Sequence, residues 1–297
     1  MKTLRKGVLP PMITPFTADG DVDYAAFEYN VAKWNDTDLA GYLVLGSNSE
    51  TCFLSEEEKI ELVKITVKTA SKDRFVMAGT GIEGLRETIR FTNLCGELGC
   101  DAALVLTPNF FDAKMDSKNL INYFTALADK AEIPILIYNV PKFTHVNIKP
   151  DAVAELSRHP NIIGMKDSMG DIVQIANFLN VKDDSFNVMV GTASIWYPAL
   201  HLGVVNGVHA LANCCPNECS EIQHLFDAGK YDEARALYMR VLPVNSAVTG
   251  AYGVPGLKHA CDRMGFKGGK VRTPLIDSNE DAKAAVDKIL DKAGVLK

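Results

Sequence analysis

Short apolar runs rich in β-branched residues recur eight times along this chain, separated by stretches of helical period, and this recurrence restricts the fold more than any other feature. The runs are Val8 to Phe16, Gly41 to Gly46, Arg74 to Thr80, Ala102 to Pro108, Pro134 to Val140, Ile162 to Ser168, Phe186 to Thr192 and Val204 to Asn213. They are continuously apolar and do not alternate with polar residues, as expected of strands in a parallel sheet covered on both faces. The stretches between them carry helix signals. Ser55 and Glu58 form a capping box ahead of the inward-facing Ile60, Val63 and Ile65, and Pro150 announces a helix at Asp151. Eight such units in roughly 215 residues fit a closed barrel better than a doubly wound sheet. After Pro216 the strand signals stop, and a helical period continues with breaks at Gly229, Gly253-Val254-Pro255 and Gly268-Gly269. The expected fold is α/β, a (β/α)8 TIM barrel over residues 1–225, with a C-terminal helical extension over 226–297 packed on it.

Composition narrows the function. A length of 297 residues, 47% of them hydrophobic, suffices for one large core. A net charge of −6, with no Lys/Arg cluster beyond the short Lys267-Gly-Gly-Lys270 loop and Arg272, argues against nucleic acid or a membrane surface as partner. No apolar stretch approaches the ~18 residues of a membrane span. Seven cysteines without a secretory leader fit a reducing cytosol, and a cytoplasmic protein is expected. Cys214-Cys215-x3-Cys219 has no second ligand pair, so no metal site is expected. Gly79-Thr80-Gly81 lacks the remainder of a dinucleotide or phosphate-loop fingerprint, so no organic cofactor is expected there.

The chemistry centres on Lys166, which interrupts the apolar run Ile162-Ile163-Gly164-Met165. A buried ammonium without a partner escapes its desolvation cost by losing the proton, and a neutral amine attacks ketones. The structural alternative is an ion pair. Asp167 is a poor partner for one, because strand neighbours point to opposite faces. In a barrel of this type the functional groups belong at the C-terminal strand ends. The second strand ends in Gly46-Ser47-Asn48-Ser49-Glu50, a turn able to offer donors to a carboxylate; an ordinary βα turn would read the same way. The fifth carries Tyr138, either an acid/base phenol at the mouth or a core tyrosine bonded to backbone. Ser168 shares the face of Lys166, and Gly191 leaves room at the seventh strand end. His209 reads as a packing residue. A lysine, a tyrosine and a carboxylate-binding turn together describe Schiff-base chemistry on a 2-oxo acid.

At this point the landmarks are those of a known family. Pro15-Phe16, Gly46-Ser47-Asn48 with Glu50, Thr107-Pro108, Tyr138-Asn139-Val140-Pro141, Gly164-Met165-Lys166-Asp167 and Ala210-Leu211-Ala212-Asn213 follow in order. From about Gly7 onward the chain resembles the class I pyruvate aldolases that include dihydrodipicolinate synthase and N-acetylneuraminate lyase. The resemblance implies Lys166 as the Schiff-base lysine and Tyr138 as acid/base. It implies Ser47 and Asn48 as carboxylate binders, Ser168 and Gly191 as pocket residues, and a homotetramer without metal or organic cofactor.

Gly-Ser-Asn in place of Gly-Thr-Thr, Ser168, Ala247-Val248-Thr249 and Gly253-Val-Pro-Gly-Leu-Lys258 look most like the 4-hydroxy-2-oxoglutarate aldolase branch. That branch would release pyruvate and an aldehyde such as glyoxylate. The alternatives are a 2-keto-3-deoxy sugar acid aldolase or dehydratase, dihydrodipicolinate synthase itself, and a weakly active 2-oxo-acid binding protein. The synthase branch places an arginine after the tyrosine strand, where this chain has Lys142-Phe143-Thr144. Two further departures are Phe110-Phe111, where the family lends a tyrosine across a subunit interface, and Ser49, where it has glycine.

Overall fold

The computed structural model describes residues 2–296. In chain order its main elements begin with β1 (Gly7–Leu9), α1 (Tyr24–Asn35), β2 (Gly41–Val44), α2 (Glu56–Thr69), β3 (Phe75–Gly79) and α3 (Leu85–Glu97). There follow β4 (Ala102–Leu106), α4 (Ser117–Ala128), β5 (Ile135–Asn139), the single turn α5 (Pro141–Thr144), α6 (Pro150–Leu156), β6 (Ile162–Asp167) and α7 (Ile172–Val181). The barrel part ends with β7 (Asn187–Val190), α8 (Trp196–His201), β8 (Asn206–Val208) and α9 (Pro216–Asp227). Beyond it lie α10 (Tyr231–Ser246), a π-helical turn over Ala247–Ala251, α11 (Gly253–Arg263) and α12 (Glu280–Lys292).

All eight strands run parallel in the order β1-β8-β7-β6-β5-β4-β3-β2, the expected (β/α)8 arrangement. The ring closes between β1 and β2 through backbone bonds that straddle two prolines. The Ala40 amide donates to Val8 O (2.8 Å), Leu43 N to Pro10 O (3.0 Å) and Met12 N to Leu43 O (2.9 Å). The first run is shorter as a strand than the sequence suggests, because Pro10 and Pro11 have no N–H to give a ladder. The last is shorter because the chain tightens into a 3₁₀ turn over Ala210–Asn213.

The two-residue strand period divides the core. Leu9, Leu43, Met77, Leu104, Leu136, Met189 and Val208 point inward and fill the barrel. Val8, Val44, Val76, Val105, Ile137 and Val190 point outward and pack with Phe27, Trp34, Phe124, Phe178 and Trp196 of the helices. Each fully buried side chain of this size contributes about 1.5–3 kcal/mol relative to exposure. The capping box appears as anticipated: Glu58 N donates to Ser55 Oγ (3.2 Å) and Ser55 N to Glu58 Oε2 (2.8 Å). Val63 and Ile65 are buried, and Ile60 packs half-buried beside them.

Among the described residues no helix is long and apolar enough to cross a membrane. No cluster of three metal-ligating side chains occurs among them either. The cysteines are free thiols, Cys52 exposed and the other six buried.

Strand spacing depends on small residues where backbones cross. A Cβ on Gly41 would sit 2.1 Å from Phe75 O of the neighbouring strand. Gly41→Ala is expected to lower stability by about 1–3 kcal/mol through overpacking. Urea unfolding measures this; an unchanged midpoint would mean that β2 and β3 separate without cost.

Candidate active site

Lys166 lies in β6 with only 3% of its surface exposed. It is paired in register with Tyr138 of β5 and Met189 of β7, so all three point into the barrel mouth. Its Nζ stands over the Tyr138 ring, 4.1 Å from the centroid. Asp167 is no partner for it, as the strand alternation requires. That carboxylate faces the opposite side, where it accepts from Asn139 Nδ2 (2.6 Å), Gln174 Nε2 (2.9 Å) and the Met169 amide (3.3 Å). Burial nonetheless leaves the Asp167 carboxyl above its ordinary range.

The Tyr138 hydroxyl is hydrogen-bonded to Ser47 Oγ at 3.3 Å. Burial pushes this phenol up, but the positive charge of Lys166 and the hydroxyls of Ser47 and Ser168 outweigh that effect. Its pKa therefore lies below the ordinary phenol value. A phenol that ionises more readily beside an amine is suited to exchange a proton with it.

Ser47 and Asn48 are half-buried in a single 3₁₀ turn, Ser47–Ser49, at the end of β2. Non-glycine residues in left-handed conformation bracket this turn, Leu45 (φ 60) before it and Glu50 (φ 54) after it. Ser49 secures it: its Oγ donates to Met12 O (2.5 Å) and accepts from Gly46 N (3.1 Å). The residue that departs from the family glycine thus fastens the turn to the segment after β1.

Residues 4–293 match the model of the dihydrodipicolinate synthetase family. The chain belongs to that family. Two relatives, the 4-hydroxy-tetrahydrodipicolinate synthases of Methanospirillum hungatei and Thermodesulfovibrio yellowstonii, are each 32% identical to it. The matches cover 97% and 98% of this chain and 99% of each relative. The dihydrodipicolinate synthase of Bacillus anthracis superposes with a TM-score of 0.92 at 27% identity, over 98% of this chain and 99% of that one. The enzyme of the same name from Aquifex aeolicus also gives 0.92, at 28% identity over 99% and 100%. Membership makes this family chain an enzyme of the class I aldolase type.

These full-length likenesses are to synthases, and they overturn the reading of the chain as a 4-hydroxy-2-oxoglutarate aldolase releasing pyruvate and glyoxylate. The physical reason is that the motif differences behind that reading leave the donor chemistry alike. Gly-Ser-Asn still presents a hydroxyl to Tyr138, as a threonine would.

Further positions singled out in the sequence are placed as follows. Gly191 does not open a space: a Cβ there would lie 1.9 Å from Ser168 Oγ, so the Ser168 hydroxyl already occupies the room. His209 is buried edge-to-face against Trp196 at 5.0 Å, and burial with the nearby Lys166 charge lowers its pKa to about 3, leaving a neutral packing residue. Phe110 and Phe111 are 76% and 68% exposed on the loop after β4 and stack edge-on at 5.0 Å. Lys258 and Arg272, whose contacts reach Glu50 at the end of the donor turn, are given no role there by any motif of the sequence. Lys258 carries one signal, a charge in an apolar helical face, Leu257-Lys258 ahead of Ala260-Cys261, the same anomaly that marks Lys166.

Because Lys166 is the largest influence lowering the Tyr138 pKa, Lys166→Ala in this family member should raise it above the ordinary phenol value, as burial remains unopposed by charge. The difference between ultraviolet tyrosinate titrations of Lys166→Ala and Lys166→Ala/Tyr138→Phe isolates this phenol. An unmoved titration would show that another group holds it down.

Proposed function

We propose that this chain is a pyruvate-dependent Schiff-base synthase of the 4-hydroxy-tetrahydrodipicolinate synthase type. The observation that carries the reading is the amine of Lys166 lying buried over a phenol of lowered pKa, hydroxyl-bonded to a donor turn. In this reading Lys166 gives up its proton to Tyr138 and its neutral Nζ attacks the pyruvate ketone. Tyr138 returns the proton as the carbinolamine loses water, leaving an iminium. Ser47 and Asn48 hold the pyruvate carboxylate and fix the ketone against Nζ. Ser168, beside Gly191, lines the space next to the imine.

Loss of a methyl proton gives an enamine, whose carbon attacks the aldehyde carbon of a second substrate. The aldehyde oxygen takes a proton as the new C–C bond forms, and water then releases Lys166. The partners are thus small carbonyl compounds. A dicarboxylate product of the kind the relatives' name describes needs a second carboxylate, brought by the aldehyde substrate. The loop directly after β5 holds no arginine, but Lys142 in α5 stands there, its Nζ 3.5 Å from Thr249 O in the π-helical turn. Lys142 meets that carboxylate as a point charge and not as a bidentate fork.

Two experiments test the reading. Incubation with pyruvate and borohydride, followed by peptide mapping, should give a reduced pyruvyl adduct on Lys166 and none in Lys166→Ala; an adduct that persists would move the nucleophile elsewhere. Lys142→Met should raise KM for the aldehyde substrate about ten-fold, one charge-assisted contact's worth, while pyruvate adduct formation stays as in wild type. An unchanged KM would take Lys142 out of the site.

A further inference from the structure

Behind the donor turn lies an ion pair that the chemistry above does not use. Glu50 and Lys258 are both about 2% exposed, and Lys258 Nζ stands 2.5 Å from Glu50 Oε1. The other oxygen, Oε2, accepts from the Arg272 amide at 2.9 Å. Lys258 also donates to Lys270 O (2.5 Å) and lies 4.6 Å from the centroid of the Phe16 ring. The Arg272 guanidinium covers the same ring at 4.4 Å and grips Glu58 with two bonds of 2.6 Å.

A buried ion pair contributes little net stability compared with apolar residues of the same volume, so stability is a weak reason for one at this place. Geometry offers a stronger one. Glu50 holds a left-handed backbone that costs a non-glycine residue roughly 1–2 kcal/mol, and such strain persists only where surrounding contacts over-determine it. Its amide donates to Ser47 O at 3.1 Å, closing the turn, and Ser47 Oγ bonds Tyr138. A chain of direct contacts therefore runs from Lys258 through Glu50 and Ser47 to Tyr138 and Lys166.

We propose that Glu50 and Lys258 are positioning residues: their buried pair fixes the turn that presents Ser47 and Asn48, and so sets the preference for ketones bearing an adjacent carboxylate. This rests on the pyruvate reading above. The pair touches neither substrate nor the reacting atoms. Its removal affects the carboxylate and spares the amine.

The test is borohydride trapping over a range of ketone concentrations, with two probes: pyruvate, and acetone, which has no carboxylate. Glu50→Gln leaves the Lys258 ammonium buried without its counter-charge, so Glu50→Gln/Lys258→Met, which removes both charges, is measured beside it. In whichever variant retains the wild-type circular dichroism and unfolding transition, half-saturation by pyruvate should rise about ten-fold while that by acetone stays unchanged. Unchanged pyruvate saturation in a folded variant overturns the proposal. An equal loss for both ketones also overturns it, since it reports general damage to the barrel. Wild-type protein that forms no pyruvate adduct fails at the earlier step and removes the reading on which this one rests.

Discussion

Everything at the mouth of this barrel depends on the seam between β1 and β2. Parallel strands left open would splay with their natural twist, and the ends of β2, β5 and β6 would not face a common space. Two prolines just after β1 make that seam difficult, since neither donates to a ladder. The solution is to use their carbonyls and the next available amide: Leu43 donates to Pro10 O and accepts from Met12 N. The carbonyl of that same residue, Met12, accepts from Ser49 Oγ, so the contact region that closes the ring also secures the donor turn.

Within the closed ring, electrostatics follow from alternation. One face of β6 carries Lys166 into the mouth, the other carries Asp167 into a net of amide donors from Asn139 and Gln174. A pair of opposite charges adjacent in sequence is thereby kept from neutralising itself. The amine is left facing a phenol, and the carboxylate is satisfied by neutral hydrogen bonds. The charge of Lys166 then acts on Tyr138, which is why two residues on neighbouring strands behave as a unit.

The strands were legible because burial on both faces makes each one a continuous apolar run. The same rule overextended the first and last. Met12 and Ile13 in the loop after β1, and Leu211 and Ala212 in the 3₁₀ turn after β8, are fully buried and look like strand in sequence. Lys166 was legible as a charge in an apolar strand. Lys258 carries the same anomaly in a helix, yet a helix offers more ways for a long side chain to reach solvent, so the signal there is weaker. Glu50 was visible only as a family landmark; the reason for it lies in contacts more than two hundred residues away in sequence. The choice of reaction was the least legible. It depends on what meets the second substrate, and Lys142, proposed for that task, meets Thr249 from a segment more than one hundred residues away in sequence, which no local pattern connects to it.

The grip of Lys258, Lys270 and Arg272 on Phe16, Glu50 and Glu58 bears on the order of assembly during synthesis. The segment around Glu50 emerges early, but the partners that hold its carboxylate are translated late, with Arg272 following Glu50 by 222 positions. A domain generally folds as a unit, and this ring closes only once β8 is available to pair with β1. The strained turn cannot be held in its final shape until the later segment docks. A chain that stops short of Lys258 lacks both contacts of the Glu50 carboxylate and both cations over Phe16, whereas one that stops between Lys258 and Arg272 keeps the ion pair and loses the amide on Oε2 and the guanidinium over the ring.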